Sequence, residues 1–364
     1  MGSAITTIIA ALSEAHLAAG GASSILAVAG KPHVGRGAEI ISFPPASRDW
    51  LWKREKLADS AKGALGMARS ASEHLHRHAF DALPPGFAGP VFLHNAPFGV
   101  SLLRRMRPLA LPVPYLHNDV FKAWTLRERE RLLRESFQVV FDSDFLASRF
   151  ITPPQRRSNV RVLLNGCDVA HFACPPRSRT KSLTILFVGK VVPHKGVQLL
   201  LEACIALWQV GLDFRLKVVG SQGLSNEWPL SEFERQLRRR AEPWAAKIEW
   251  TGFVDRLALP ELFALADIYC VPSNWDEPCS LTLPEGLAAG LPTVAARRGG
   301  LPEVGRSAVL WFDPPNIAAL ADQLRRLILD AELRSTLSER AVHRAQEISW
   351  SNQAALLNGF LDDP

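Results

Sequence analysis

Two glutamates, Glu277 and Glu285, stand with seven residues between them in the stretch Val271–Val304, VPSNWDEPCSLTLPEGLAAGLPTVAARRGGLPEV. An ionised carboxylate only accepts hydrogen bonds, so each suits the hydroxyls of a ligand rather than an anion. Between them, Pro278, Cys279, Ser280 and Leu281 lead into a helical run that ends at Gly290. Pro292, an apolar strand Thr293–Ala296 and Gly299-Gly300 follow. The pattern reads as strand, loop, helix, turn, strand. A helix starting near Ser280 leaves its first N–H groups without intrahelical partners, and its positive end favours a phosphate. Hydroxyl-binding acids on either side of an anion-binding helix end describe a nucleotide-diphosphate sugar, with one acid for the sugar and the other for the ribose. The spacing by itself fits equally well a plain strand–helix–strand unit with Glu285 on a solvated face.

A second group of residues points the same way. Lys190 and Lys195 lie in the loop between an apolar strand, Thr184–Val188, and a helix, Val197–Val210. Two ammonium groups before a helix start would neutralise a diphosphate and stabilise it as a leaving group. The G-x4-G-K-[ST] spacing of a Walker loop is missing. Gly220 ends a strand Arg215–Val219, and Val254 follows a strand Ile248–Thr251. His94 and His117 end the strands Val91–His94 and Pro112–Leu116. Ligands in open α/β sheets bind beyond the carboxyl ends of strands, which makes all of these candidates for a site. A lone histidine at a strand end is commonly structural, and that reading stays open for His94.

The elements that must position these residues alternate, strand then helix, and predict an α/β class with parallel sheets. Helical patterns cover Ala4–Ala19, Asp49–Ala79 (one helix or two), Leu126–Phe137, a stretch Trp228–Trp244, Leu257–Ala266, Asn316–Leu329, Ala331–Glu347 and Ser349–Leu361. Further strands are Ser24–Ala29, Glu39–Phe43, Val139–Phe141, Val160–Leu164 and Ala308–Phe312. Ser143 caps the helix after Val139–Phe141. Asn165-Gly166 is expected to supply positive φ in a tight turn before Asp168. The polar, proline-bearing segment Cys174–Lys181 reads as a linker. The expected division is 1–174, 182–347 and a returning helix, 348–364.

Composition sets the outer bounds. The chain has 364 residues, 47% hydrophobic and 21% charged, which suits two globular domains. No apolar run reaches the roughly 20 residues of a membrane span. Met1–Leu17 contains Ser13, Glu14 and His16 and reads as an amphipathic helix, not a signal peptide. Five scattered cysteines (Cys167, Cys174, Cys204, Cys270, Cys279) lack CxxC spacing. They argue for reduced thiols in a cytosolic protein and against zinc. A net charge of +6 favours acidic partners. No zinc finger, RNP motif or DNA-reading helix is present, so nucleic acid is not expected. No G-x-G-x-x-G follows a strand with an acid beyond it, which argues against a dinucleotide enzyme. The basic helical stretches Asp49–Ala79 and Leu126–Phe137 read as solvated faces or, alternatively, as peripheral contacts with the inner face of a membrane.

The text from Pro272 to Val304 closely resembles the E-x7-E region of the GT-B glycosyltransferases of family 4, the retaining glycosyl transferases of group 1. Phe187-Val188-Gly189-Lys190 with Lys195-Gly196 resembles that family's F-V-G-R-x(n)-K-G segment, and Asn165-Gly166-Cys167-Asp168 its N-G-x-D turn. The resemblance implies two Rossmann-like domains facing a cleft, with a C-terminal helix crossing back to the first. It implies retaining transfer from a nucleotide sugar (a UDP- or GDP-sugar) to an acceptor hydroxyl in glycan or glycoconjugate biosynthesis, with no metal and no cofactor. The family's roles fall on Glu277, Lys190, Lys195 and His117 at the donor sugar and diphosphate. Glu285 falls on the ribose, and Cys279, Ser280, Leu281, Val254 and Gly220 line the donor. Gly2-Ser3 resembles the tail of the glycine-rich turn that follows the family's first strand. That strand is not found here, so the native chain is expected to begin upstream, and a gap is expected in the first sheet. N-terminal mass spectrometry that found a native start at Met1 or Gly2 would refute this. Some residues depart from the family: Lys190 replaces arginine and loses its fork. Cys279 and Ser280 stand for phenylalanine and glycine, and Pro284 and Gly286 for leucine and alanine. These departures leave a non-catalytic nucleotide-sugar binder as the alternative. The acceptor is not legible.

Overall fold

The computed structural model describes residues 4–28, 37–43, 50–65, 67, 73–151, 157–174, 182–223, 225 and 227–362. Gly2, Ser3 and most of the expected linker lie outside them. The chain divides into two units, Asn165–Ser349 and Gly2–Leu164 with Trp350–Pro364.

In the unit that holds most of the N-terminal half, the elements are α1 (Ala4–Ala18), β1 (Ser24–Val28), β2 (Glu39–Phe43), α2 (Trp50–Ala64), α3 (Glu73–Asp81), β3 (Pro90–His94), α4 (Val100–Met106), β4 (Leu111–Leu116), α5 (Leu126–Glu135), β5 (Val139–Phe141), α6 (Asp144–Phe150) and β6 (Val160–Val162). The helical stretch 49–79 resolves into two helices. Among the described residues the strands form two parallel sheets, β1-β2 and β3-β4-β5-β6, rather than one. Inward-facing side chains such as Val139, Phe141, Leu116 and Leu103 are fully buried between the second sheet and its helices. Ser143 accepts from the Leu146 N–H at 3.2 Å and so starts α6. Thr125 and Glu128 form a reciprocal capping box at the start of α5.

The Asn165–Ser349 unit runs α7 (Val169–Phe172), β7 (Leu183–Val188), α8 (Val197–Gln209), β8 (Phe214–Val219), α9 (Glu232–Ala241), β9 (Ile248–Gly252), α10 (Leu259–Ala264), β10 (Ile268–Val271), α11 (Thr282–Ala288), β11 (Thr293–Ala296), α12 (Leu301–Gly305), β12 (Val309–Phe312), α13 (Ile317–Leu329) and α14 (Ala331–Glu347). The expected helix 228–244 is shorter. Ser231 and Glu234 cap it, and a 3-10 segment, Glu242–Lys247, carries the chain to β9. The expected helix 257–266 begins as a 3-10 turn, Arg256–Ala258. Among the described residues the six strands lie in the order β12-β11-β10-β7-β8-β9, all parallel. This is the doubly wound order, and its direction reverses between β7 and β10, the switch point beyond which open α/β sheets bind their ligands. The last helix, α15 (Trp350–Asp362), belongs to the other unit. There Asn358 meets His16 of α1 at 3.0 Å.

Candidate functional site

The switch point between β7 and β10 gathers residues from two distant parts of the sequence. The loop after β7 carries Lys190 and Lys195, and the loop after β10 carries Ser273 and Glu277. The Lys195 Nζ donates to Glu277 Oε1 at 2.6 Å, and Ser273 Oγ donates to Oε2 at 2.7 Å. Glu277 is buried, and Lys195 is partly exposed. Sequence reasoning gave Lys195 the diphosphate and Glu277 the sugar hydroxyls of one nucleotide sugar; the structure also pairs the two side chains with each other. Lys190 is exposed in the same loop.

Close backbone packing holds this pair in place. Gly196 has φ of +75°, and a Cβ there would lie 1.8 Å from the Pro272 carbonyl oxygen. The Asn274 N–H donates to the His194 carbonyl at 2.8 Å, locking the two loops together. On the other side Gly299, with φ of +56°, packs where a Cβ would stand 2.1 Å from the Glu277 carbonyl oxygen. The Gly300 N–H donates to that oxygen at 2.8 Å. Glycine is required at both positions by conformation and by space. Trp275, which sequence reasoning did not single out, stays partly exposed beside the pair. The Lys195 ammonium lies 5.7 Å from its ring centre and the His194 ring 5.4 Å away.

Glu285 sits one turn into α11. That helix begins at Thr282, slightly later than expected, with Leu281 at its N-cap, and Ser280 Oγ just before the cap accepts from the Leu283 N–H at 3.1 Å. Leu283 and Leu287 are fully buried and anchor the helix to the sheet. Glu285 is also fully buried, not on a solvated face. Arg256, from the turn after β9, donates to its Oε1, and Oε2 has no hydrogen-bond partner. Burial pushes this acid up to about 7 against the pull of Arg256. Sequence reasoning missed Arg256. It lies two residues past Val254, and no spacing rule connects it with Glu285. Val254 itself is half-buried just beyond β9. Gly220 follows β8, and its N–H donates to the Gly252 carbonyl at 2.8 Å.

The Asn165-Gly166 turn is a correction. Neither residue has positive φ. Asn165 is buried, and its Nδ2 donates to the Cys279 carbonyl at 3.1 Å while its N–H meets Cys279 Sγ at 3.3 Å. The asparagine braces the loop before α11 instead of turning the chain. Cys279 is half-buried and Leu281 stands at the helix start.

In the other unit, His94 and His117 lie at the carboxyl ends of neighbouring strands. His94 Nδ1 and His117 Nε2 are 2.9 Å apart, with coplanar rings (interplanar angle 1°). Asn95, at φ of +50°, accepts the His117 N–H through Oδ1 at 2.8 Å and so shapes the strand ends. Burial lowers both imidazoles, His94 to about 4 and His117 well below its ordinary value, so both are neutral and one proton lies between them. His117 Nδ1 is buried without a partner. The structure therefore ties His94, left open by the sequence, to His117.

Among the described residues, no three His, Cys, Asp or Glu side chains converge as a metal site requires. No described helix is long and apolar enough to cross a membrane.

Residues 175–344 match the family profile "Glycosyl transferases group 1". A phosphatidyl-myo-inositol mannosyltransferase of Mycobacterium tuberculosis is 30% identical over 292 residues, covering 76% of this chain and 74% of the relative. The chain belongs to the glycosyl transferases group 1 family. This glycosyltransferase is also similar to the lipopolysaccharide 1,2-N-acetylglucosaminetransferase of Salmonella typhimurium, at 23% identity over 72% of this chain and 70% of that one. Its fold is GT-B. HepE of Anabaena, solved with UDP, aligns with TM-score 0.72 over 100% of this chain and 97% of its own at 15% identity. The sucrose-phosphate synthase of Thermosynechococcus elongatus aligns with TM-score 0.69 over 96% and 91% at 18% identity.

Proposed function

We propose that this glycosyltransferase moves a sugar from a nucleotide-diphosphate sugar to an acceptor hydroxyl, with retention of configuration and without a metal ion. The observation that carries the reading is the Lys195–Glu277–Ser273 constellation at the switch point between β7 and β10. A cation beside a carboxylate can bind a phosphate and sugar hydroxyls side by side. Lys190 and Lys195 hold the diphosphate, and main chain near Ser280 and Leu281 cradles its distal phosphate. Glu277 takes sugar hydroxyls, Glu285 the ribose, and main chain at Val254 and Gly220 the rest of the nucleoside. Cys279 borders the sugar where the family carries a larger residue. His117, being neutral, offers a sugar hydroxyl a hydrogen bond and not a charge.

The bond from the anomeric carbon to the phosphate oxygen breaks through an oxocarbenium-like transition state. The lysines stabilise the negative charge that develops on the leaving diphosphate. The acceptor oxygen bonds to the same face, and its proton passes to the departing phosphate oxygen. The UDP and UDP-glucose complexes of HepE support a UDP-sugar donor. The mycobacterial mannosyltransferase and the Salmonella lipopolysaccharide enzyme support a role in building glycans or glycolipids. For a glycolipid acceptor, α2 is the element proposed to touch the membrane. It carries Lys53, Arg54 and Lys62, and Leu57 is 78% exposed.

The test is a thermal-shift panel of UDP- and GDP-sugars on wild type and Glu277→Ala. A donor at a hundredfold over its Kd adds about 2.7 kcal/mol of stability. A shift with one donor, reduced in the variant, supports the reading. No shift with any donor sinks it. Transfer or hydrolysis of the bound donor then separates an enzyme from a binder that has lost catalysis. Full activity in EDTA is expected, and loss restored by manganese would overturn metal independence. Co-sedimentation with anionic vesicles, weakened by Leu57→Asp, tests the α2 contact.

A further inference from the structure

A carboxylate removed from water is costly unless it is paired and hydrogen-bonded. Glu285 has 0% exposure, one oxygen on Arg256 and one oxygen with no partner. An unsatisfied buried acceptor needs an explanation. Arg256 reaches Glu285 from the turn that follows Val254, and its own side chain remains 36% exposed. The other titratable groups near this carboxylate carry no compensating charge. Tyr269 of β10 and Cys167 before α7 are held neutral by burial, with Glu285 raising both further and Asp168 adding to the effect on Cys167. On the α14 side, Arg344 is committed to the carbonyls of Glu303 and Val304 and to Glu347.

We propose that Arg256 is a positioning residue for nucleotide binding: it holds Glu285 by one carboxylate oxygen and presents the other, Oε2, to a hydroxyl of the nucleotide's ribose. This rests on the reading of Glu285 as the ribose acceptor. Arg256 touches no reacting atom; it acts through the glutamate. It has two effects. The guanidinium fixes the rotation of the carboxylate, and its positive charge partly offsets the burial that raises the acid. Without it, burial raises the acid further, so that more of it is protonated at neutral pH and a hydroxyl donor replaces the acceptor.

The experiment measures the Kd of UDP and of 2′-deoxy-UDP (with GDP and its 2′-deoxy form in parallel) by calorimetry. The proteins are wild type, Arg256→Met, Arg256→Lys and Glu285→Gln, measured from about pH 6 to about pH 9, with folding checked by circular dichroism. Wild type should prefer the ribonucleotide. Arg256→Met should weaken UDP about tenfold or more near pH 7, the scale of a charge-assisted hydrogen bond. It should leave 2′-deoxy-UDP nearly unchanged and regain UDP affinity as pH rises. Arg256→Lys should restore part of the affinity and move the pH dependence back. If wild type prefers the ribonucleotide and Glu285→Gln abolishes that preference, yet Arg256→Met binds UDP like wild type at every pH, the role of Arg256 is overturned and the donor-site reading stands. If neither nucleotide binds, or wild type ignores the 2′-hydroxyl and Glu285→Gln is silent, the donor-site reading falls and the inference with it. If Arg256→Met does not fold, Arg256→Gln takes its place: UDP affinity and pH dependence like those of wild type would overturn the proposal.

Discussion

The two units place polar side chains at the same architectural address, just beyond the carboxyl ends of parallel strands, yet they treat charge in opposite ways. In the Asn165–Ser349 unit, Glu277 is paired with Lys195 and Glu285 with Arg256, so buried carboxylates keep partners of opposite sign. In the other unit, His94 and His117 lie against each other and against Tyr115, and burial leaves both neutral. A buried ionised group is costly unless it is paired, and for Glu285 the pairing with Arg256 only partly offsets burial. A neutral imidazole pair is cheaper to bury and offers direction without charge. Equivalent positions in similar folds thus acquire different chemistry from the residues packed around them.

The hardest blow to this comparison would come from the charged pair. Glu277→Ala leaves Lys195 and Ser273 without their shared partner, and turnover should fall by roughly 10²–10³-fold, as for loss of one preorganised electrostatic group. Initial rates within a few-fold of wild type would remove the pair from catalysis. His117→Asn, which keeps a neutral hydrogen-bonding group, should cost about tenfold or less.

Gly299→Ala tests the backbone that holds Glu277. The new Cβ would overlap the Glu277 carbonyl at a φ of +56°, and the strain should cost about 1–3 kcal/mol. A urea melt should show it, with weaker donor binding. An unchanged midpoint would mean that the loop can retreat from Glu277 at little cost.

The pH dependence of stability should have opposite signs in the two units. Glu285 is raised from 4.5 to about 7, so the folded state holds its proton more tightly. Its contribution is most favourable below pH 4.5 and is lost as pH rises to about 7. His94 is lowered from 6.5 to about 4, so its contribution is present above pH 6.5 and lost as pH falls towards 4. Melting temperature against pH should lose its high-pH decline in Glu285→Gln and part of its acid decline in His94→Phe. The comparison fails if either variant keeps the wild-type profile. The smallest effect belongs to Lys190→Arg, which restores a fork at an exposed position and should tighten donor binding by no more than about fivefold.

Much of the fold could be read in advance because its signals are local. The apolar runs at Thr293–Ala296 and Val139–Phe141 and the helix Ala331–Glu347 appear with the expected bounds. Boundaries moved where a side chain intervened, as Ser231 does by capping α9 and starting it late. Asn165 misled the reading because asparagine before glycine is a turn signal only while its side chain is uncommitted. Here Cys279 claims it from 114 residues away. Arg256 had no local signal at all, since one arginine in a loop carries no period and no spacing.

The sequence by itself determined the alternation of strands and helices, the order of the motifs and the chemistry of Lys190, Lys195, Glu277 and Glu285. These follow from periodicity, turn residues and functional groups, all properties of neighbouring positions. Only the tertiary structure decided the partners. The strand order places β7 beside β10, and that brings Lys195 to Glu277 across 82 residues and Asn165 to Cys279. Burial then sets the charge: it tells Glu285, which needs Arg256, from His94 and His117, which must stay neutral. Desolvation depends on everything packed around a group, and that environment exists only once the chain has folded.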